Sequence, residues 1–123
     1  MRRFWKRFGS MALAALVAGA LATSVLADEK KKEFAADKGA DKVEVSAYPA
    51  NIQAAYKVFA SKCSKCHTLA RPINTNMKAD GWKMYVKRMA NKPDSGISPA
   101  QAKQVYSFLK FYQAEKDKKK SAQ

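Results

Sequence analysis

Between residues 49 and 112 the apolar side chains fall into three stripes of helical period. Ile52, Ala55, Tyr56 and Phe59 recur at i, i+3, i+4 and i+7, the spacing that gathers side chains on one face of a helix. Pro49 suits the first turn, where an amide would lack an intrahelical acceptor. The stripe predicts a helix from about Ala50 to Ser61 that delivers the chain directly into Cys63. Trp82, Tyr85, Val86 and Met89 share a second face, predicting a helix from Asp80 or Gly81 to Ala90 with Asp80 as its N-cap. The third start is the sharpest: Ser98 as N-cap, Pro99 at the first helical position and Gln101 at N3 form a capping box. Val105, Phe108, Leu109 and Tyr112 follow on one face, and the pattern fades into a basic tail, Lys116–Gln123. Asn91–Gly96 (NKPDSG) reads as a loop. Val43 and Val45 alternate with Glu44 and Ser46, a run too short to make a strand. Three helices with no credible strand and no internal repeat give an all-α domain.

The flanks differ in kind. Met1–Phe8 carries four positive charges and Gly9–Ala27 (GSMALAALVAGALATSVLA) none. A basic n-region, an apolar h-region and a small-residue exit at Val25 and Ala27 are the parts of a secretory signal peptide. The same apolar run approaches the roughly 20 residues that span a bilayer, so an uncleaved anchor is the alternative. Either way the domain is delivered outside the cytoplasm, with the Lys/Arg retained. Asp28–Ser46 is charge-dense and short of large apolar residues, and reads as a mobile leader or a poorly packed first turn. The organisation is therefore a signal segment 1–27, a flexible charged leader 28–46, a helical domain 47–115 and a basic tail 116–123.

At 123 residues one compact domain is expected, and barrels or two-domain enzymes are excluded. The formal charge is +14; without residues 1–27 the chain keeps 20 basic and 10 acidic side chains. A chain so short buries only about 60–65% of its unfolded surface, so something besides an apolar core has to help it fold. Two cysteines cannot supply a disulfide network.

Cys63-Ser64-Lys65-Cys66-His67 holds both cysteines and the sole histidine. In an exported chain, C-x-x-C-H reads as a haem c attachment site. Two thiols at the end of a helix reach the two vinyl groups of one porphyrin as thioethers, and the adjacent imidazole ligates the iron. Covalent attachment lets a short polypeptide wrap a large apolar group, which answers the small-core problem. Three competing readings are weaker. A thioredoxin-like CxxC sits beside a βαβ pattern that is missing. A zinc site lacks a fourth soft ligand and the usual spacing. A simple disulfide would leave the histidine incidental.

With a helix entering C-x-x-C-H and a C-terminal helix bearing an aromatic and aliphatic face, Asn51–Tyr112 resembles a small class I-type monohaem cytochrome c. The resemblance implies a cytochrome c-like fold of three main helices around one covalently bound haem c. It also implies that the first and last helices cross, with Tyr56 and Phe59 meeting Phe108 and Leu109. Cys63 and Cys66 would hold the haem and His67 would ligate the iron. The second half departs from the family pattern, because the loop Asn91–Ser98 has no methionine. Met89, on the apolar face of the second helix, is the foremost candidate for sixth ligand; Met77 comes next and Met84 last, with a lysine, water or an open position as the remainder. Arg71, restrained by Pro72, and Trp82 are candidates for the haem propionates, against the plainer readings of a solvent-facing loop cation and a core aromatic.

Acid–base catalysis has little to work with, since the one histidine is committed to iron. One-electron transfer between redox proteins is the expected function, and no enzyme activity is expected. An electron-transfer subunit of a larger oxidoreductase and a haem-based small-ligand sensor are the alternatives. The excess positive charge implies an acidic redox partner or an anionic membrane surface. Lys57, Lys62 and Lys65 cluster near the haem segment, and Lys83, Lys87, Arg88 and Lys92 line the middle helix and its exit. Nucleic acid is disfavoured by the export signal. The periplasm is the expected location, with attachment to the inner membrane through an uncleaved segment as its alternative.

Overall fold

The computed structural model describes residues 33–123; the signal-segment reading of 1–27 lies outside the described residues. A 3-10 turn, Ala35–Lys38, precedes four helices: α1 (Ala50–Cys63), α2 (Ala70–Ile73), α3 (Ala79–Ala90) and α4 (Pro99–Ser121). Among the described residues there is no strand. The all-α reading holds, with one short helix added to the three expected.

Helix α1 runs two residues past the predicted end because its buried stripe, Ile52, Ala55, Phe59 and Cys63, keeps its period to the last turn. Cys63 is thus both a wall of the core and the final helical residue. Pro49, extended at ψ 146°, stands one place before the first turn, at the N-cap. Helix α4 packs across α1 and α3. At the α1/α4 crossing the Phe59 and Phe108 rings lie 4.9 Å apart and Tyr56 and Phe108 5.1 Å apart, the offset spacing that favours aromatic pairs. The crossing implied by the resemblance is the one found.

The capping box of α4 is complete: the Gln101 amide donates to Ser98 Oγ at 3.2 Å, and the Ser98 amide to Gln101 Oε1 at 3.0 Å. Two expectations are corrected. Helix α3 begins at Ala79 with Lys78 at the N-cap, so Asp80 sits inside the first turn, where a carboxylate meets the positive end of the helix dipole. Helix α4 does not fade at Lys116 but continues to Ser121. Lys116 is half-buried and donates to the Ile73 and Thr75 carbonyls at 3.2 and 2.9 Å, tying this stretch to the end of α2. Burial pushes its pKa down.

Helices α3 and α4 are joined by a buried polar knot. Gln113 stands eight residues beyond Val105, on the same α4 face, and is 8% exposed. Its Oε1 accepts from the Met77 amide at 3.1 Å and from the Trp82 indole N–H at 3.4 Å. Its Nε2 donates to Asp117 at 2.9 Å. Removing this acceptor strands two donors, at about 1–3 kcal/mol for each group left unsatisfied. Gln113→Ala is expected to lower the thermal midpoint of the holoprotein by about 8 °C or more, at roughly 4–8 °C per kcal/mol for a domain this size. A midpoint within a degree of wild type would show that the knot contributes nothing.

The leader also differs from expectation. From residue 33 it lies against the helices. Arg71 donates from Nε and Nη2 to the two Asp37 oxygens at 2.9 and 2.7 Å. The Asn74 amide donates to the Ala36 and Ala40 carbonyls, both at 3.0 Å. The Val43 N–H donates to the Tyr56 hydroxyl at 3.2 Å, and Val43 and Val45 pack on the core edge. Gly39 fits because a Cβ there would run into the Asn74 side chain. Local composition suggested mobility; the partners that hold the segment stand some 13–38 residues away.

Candidate functional site

The end of α1, α2, the outer half of α3 and the loop after it enclose a cavity of about 460 Å³, within the range of cofactor sites. Cys63, Cys66 and His67 line it on the α1 side, and Tyr85, Arg88 and Met89 on the α3 side. Arg71 and Thr75 close a third side, with Phe34 from the leader and Ile97 from the loop. Residues 26 positions apart in sequence, from Cys63 to Met89, thereby face one space.

The two thiols are free and differently placed: Cys63 is buried and Cys66 exposed. Burial pushes the Cys63 thiol up to about 11, so it is neutral near pH 7. This follows from the helix: Cys63 continues the buried stripe of α1, while Cys66 lies beyond the helix end in the turn before His67. His67 Nδ1 lies 2.9 Å from the Thr68 carbonyl oxygen. A carbonyl only accepts, so in the neutral ring Nδ1 is the protonated nitrogen and Nε2 the one with the lone pair, the tautomer that suits a metal. Among the described residues no three His, Cys, Asp or Glu side chains converge to hold a bare metal ion.

Two observations show that the cavity fits a haem. The Tyr85 hydroxyl is buried without a hydrogen-bond partner and lines this space. An orphaned buried hydroxyl is costly unless a ligand group meets it. Burial holds its pKa up at about 12, so it is a neutral donor and acceptor. The lining also carries Lys62, Arg88 and Lys92, none of them in an ion pair among the described residues, beside the Asp37-paired Arg71, and no carboxylate, which suits a macrocycle with an anionic edge. Cys63 and Cys66 would hold the haem through their sulfurs and His67 Nε2 would ligate its iron.

The remaining predicted positions separate. Met89 is half-buried on the cavity wall. Met77 is not there: it packs against Gly81 and lines a different recess, with Trp82 and Gln113. Met84 is 63% exposed. Arg71 lines the cavity, but its Nε and one Nη are engaged by Asp37, and the pair is mostly shielded from solvent. The guanidinium holds Asp37 below the usual carboxylate range. Trp82 takes the plainer of its two readings, a core aromatic, and the propionate reading is corrected: it is fully buried, its indole N–H is turned to Gln113, and it does not line the cavity. Its ring packs edge-on against Tyr85 at 5.5 Å, so it supports the cavity wall from behind.

Sequence reasoning missed Tyr85 as a polar group of the site, Phe34 as part of its wall and Asp37 as the anchor of Arg71. Periodicity placed Tyr85 on the correct face of α3 but could not show that its hydroxyl ends unpartnered. Nothing local marks Phe34, whose ring sits 4.4 Å from the Arg71 guanidinium.

Comparison with known proteins gives one finding. The family model described as Cytochrome-c551, Photosystem P840 reaction-centre cytochrome c-551, matches residues 1–113. No curated protein and no solved structure matches the chain.

Proposed function

The chain belongs to the photosystem P840 reaction-centre cytochrome c-551 family, electron-transfer cytochromes that carry covalent haem c, and from that premise we propose that it is a monohaem one-electron carrier working outside the cytoplasm. The observation that carries this reading is the shared cavity, with Cys63, Cys66 and His67 on one wall and Met89 on another. A bound haem c supplies reversible one-electron chemistry at its iron. The chain's own residues do the rest. Cys63 and Cys66 would fix the group, His67 would present Nε2 to its iron, and Met89 would offer a thioether as a further ligand. Phe34, Tyr85 and Ile97 would pack against the bound group, and the surrounding cations would favour its reduced state by offsetting negative charge. One Cys pair and one histidine in the chain support a single haem.

Export through residues 1–27 into the periplasm belongs to the same proposal, as does an acidic redox partner; an anionic membrane surface is the other source of complementary charge. No helix among the described residues is long and apolar enough to cross a membrane. A second reading, a resident electron-transfer subunit of a larger complex, draws on the family description, which names a reaction centre.

Haem stoichiometry and a potentiometric titration of the purified holoprotein test the proposal. One haem per chain, a single one-electron wave and no carbon monoxide binding to the ferrous form are expected. A second haem or a two-electron wave would overturn the monohaem carrier. Ready carbon monoxide binding would favour the sensor. Retention on membranes washed in high salt, co-migrating with a large complex, would favour the resident subunit.

A further inference from the structure

A second recess of about 460 Å³ lies between α3 and α4, on the opposite side of α3 from the cofactor cavity. Its floor is apolar: Val86, Ala90, Ala102 and the ring of Tyr106. Lys83, Lys87 and Lys103 stand along it, and no carboxylate lines it. Among the described residues the ion pairs are Lys38–Glu33, Arg71–Asp37 and Lys118–Glu115, so none neutralises a groove lysine. Lys110, 5.6 Å from the Tyr106 ring, extends the positive strip along α4. Met84, one of two large apolar side chains exposed on the described surface, rides the crest of α3 one helical turn from both Lys87 and Arg88.

An apolar centre edged by unpaired cations has the anatomy of a protein-docking surface, where methionine is enriched and charge lies at the rim. Its position matters for electron transfer. Ile97 lines both this groove and the cofactor cavity, and α3 turns Met89 to the cavity while Val86 and Ala90 face the groove. A partner seated here lies across one helix from the cofactor.

We propose that the α3/α4 groove is the docking site for an acidic polypeptide segment that inserts a bulky apolar side chain between Lys83, Lys87 and Lys103. This rests on the electron-carrier reading and assigns its partner a place and a chemistry. Complementary charge identifies the acidic character, and the recessed floor identifies the shape. The floor is recessed, with Val86 buried and Ala90, Ala102 and Tyr106 half-buried beside exposed Lys83, Lys87 and Lys103, a shape that a projecting side chain fills and a flat bilayer does not. Opposed charges steer the encounter and the buried side chain fixes register.

The test uses the ¹⁵N-labelled ferrous holoprotein and a short Glu- and Asp-rich peptide carrying one central Phe, with the Phe→Ala peptide and anionic phosphatidylglycerol vesicles as comparators. Amide shifts are expected at Val86, Ala90, Ala102 and Tyr106, with weaker binding as salt rises. Losing the peptide's Phe should weaken binding about tenfold, the scale of burying a large apolar side chain. Reversing the groove charges (Lys83→Glu, Lys87→Glu, Lys103→Glu) should weaken it about tenfold or more. The control reversal at Lys118, Lys119 and Lys120 should change it less than about twofold beyond the effect of net charge. An unchanged visible spectrum reports intact folding of each variant. Shifts at Lys62, Lys65 and Cys66 instead, equal weakening by the tail reversal, indifference to the Phe, absence of peptide binding, or binding to vesicles alone would each overturn the groove. A redox titration on the same sample keeps the outcomes apart: an intact one-electron wave with a negative groove result removes the docking site and leaves the carrier.

Discussion

Replacing Cys63 and Cys66 together by alanine is expected to abolish covalent capture of haem. All the haem of the double variant should pass into acidified organic solvent, where wild type retains it on the polypeptide. The expectation follows from the cavity, where both sulfurs stand on the wall that also carries His67. The single variants should differ, because the two positions differ. Cys63 is built into the buried stripe of α1, and its thiol is held neutral by burial; Cys63→Ala also removes core contact and should cost stability on the order of 1–2 kcal/mol. Cys66 is exposed beyond the helix end, so Cys66→Ala should fold as wild type and keep one thioether through Cys63. Extraction followed by mass spectrometry reads the outcome. Haem that stays with the double-variant polypeptide, or extracts freely from wild type, would reject attachment through this pair and return the motif to thiol redox chemistry.

The same residues show where sequence reading succeeds. Cys63, Cys66 and His67 are contiguous, so the motif states its chemistry before any fold is known, and the helix leading into it is marked by a regular stripe. The start of α4 was legible because Ser98, Pro99 and Gln101 interact within one turn. What was not legible depends on contacts between distant segments. Arg71 reads as a loop cation until Asp37 is placed beside it, and the leader reads as mobile until Arg71, Asn74 and Tyr56 hold it. Trp82 and Tyr85 share an apolar face by spacing, yet one hydroxyl ends in the cavity and the other ring's N–H ends on Gln113. That division is decided by α4, which no pattern within α3 records. Lys116 likewise reads as tail until the carbonyls of Ile73 and Thr75 come within its reach.

Met89→Ala should have the largest effect on redox behaviour. Three methionines follow residue 27 in sequence, and the fold gives each a different environment. Met89 is on the cavity wall, Met77 is packed against Gly81 in a separate recess, and Met84 is mostly in solvent. A thioether is a soft neutral donor that favours ferrous iron over ferric, relative to water or hydroxide. Its loss should lower the reduction potential by on the order of 0.1 V, a modest part of the roughly 0.8 V over which axial ligands set haem potentials. It should also remove the weak near-infrared ferric band of a sulfur–iron bond and open the iron to carbon monoxide and cyanide. Met84→Ala should leave all three readouts at wild-type values. Met77→Ala should leave the spectrum and potential near wild type while lowering stability by about 1–3 kcal/mol, because a half-buried side chain is withdrawn from the Trp82–Gln113 recess. Near-infrared magnetic circular dichroism of the four ferric proteins separates the cases. Loss of the sulfur signature in Met77→Ala with retention in Met89→Ala would require α3 and the residues before it to rearrange around the haem and would move the ligand to Met77. A wild-type protein without the signature would remove methionine from the iron altogether, and the binding of small ligands at that position would then take precedence over electron carriage.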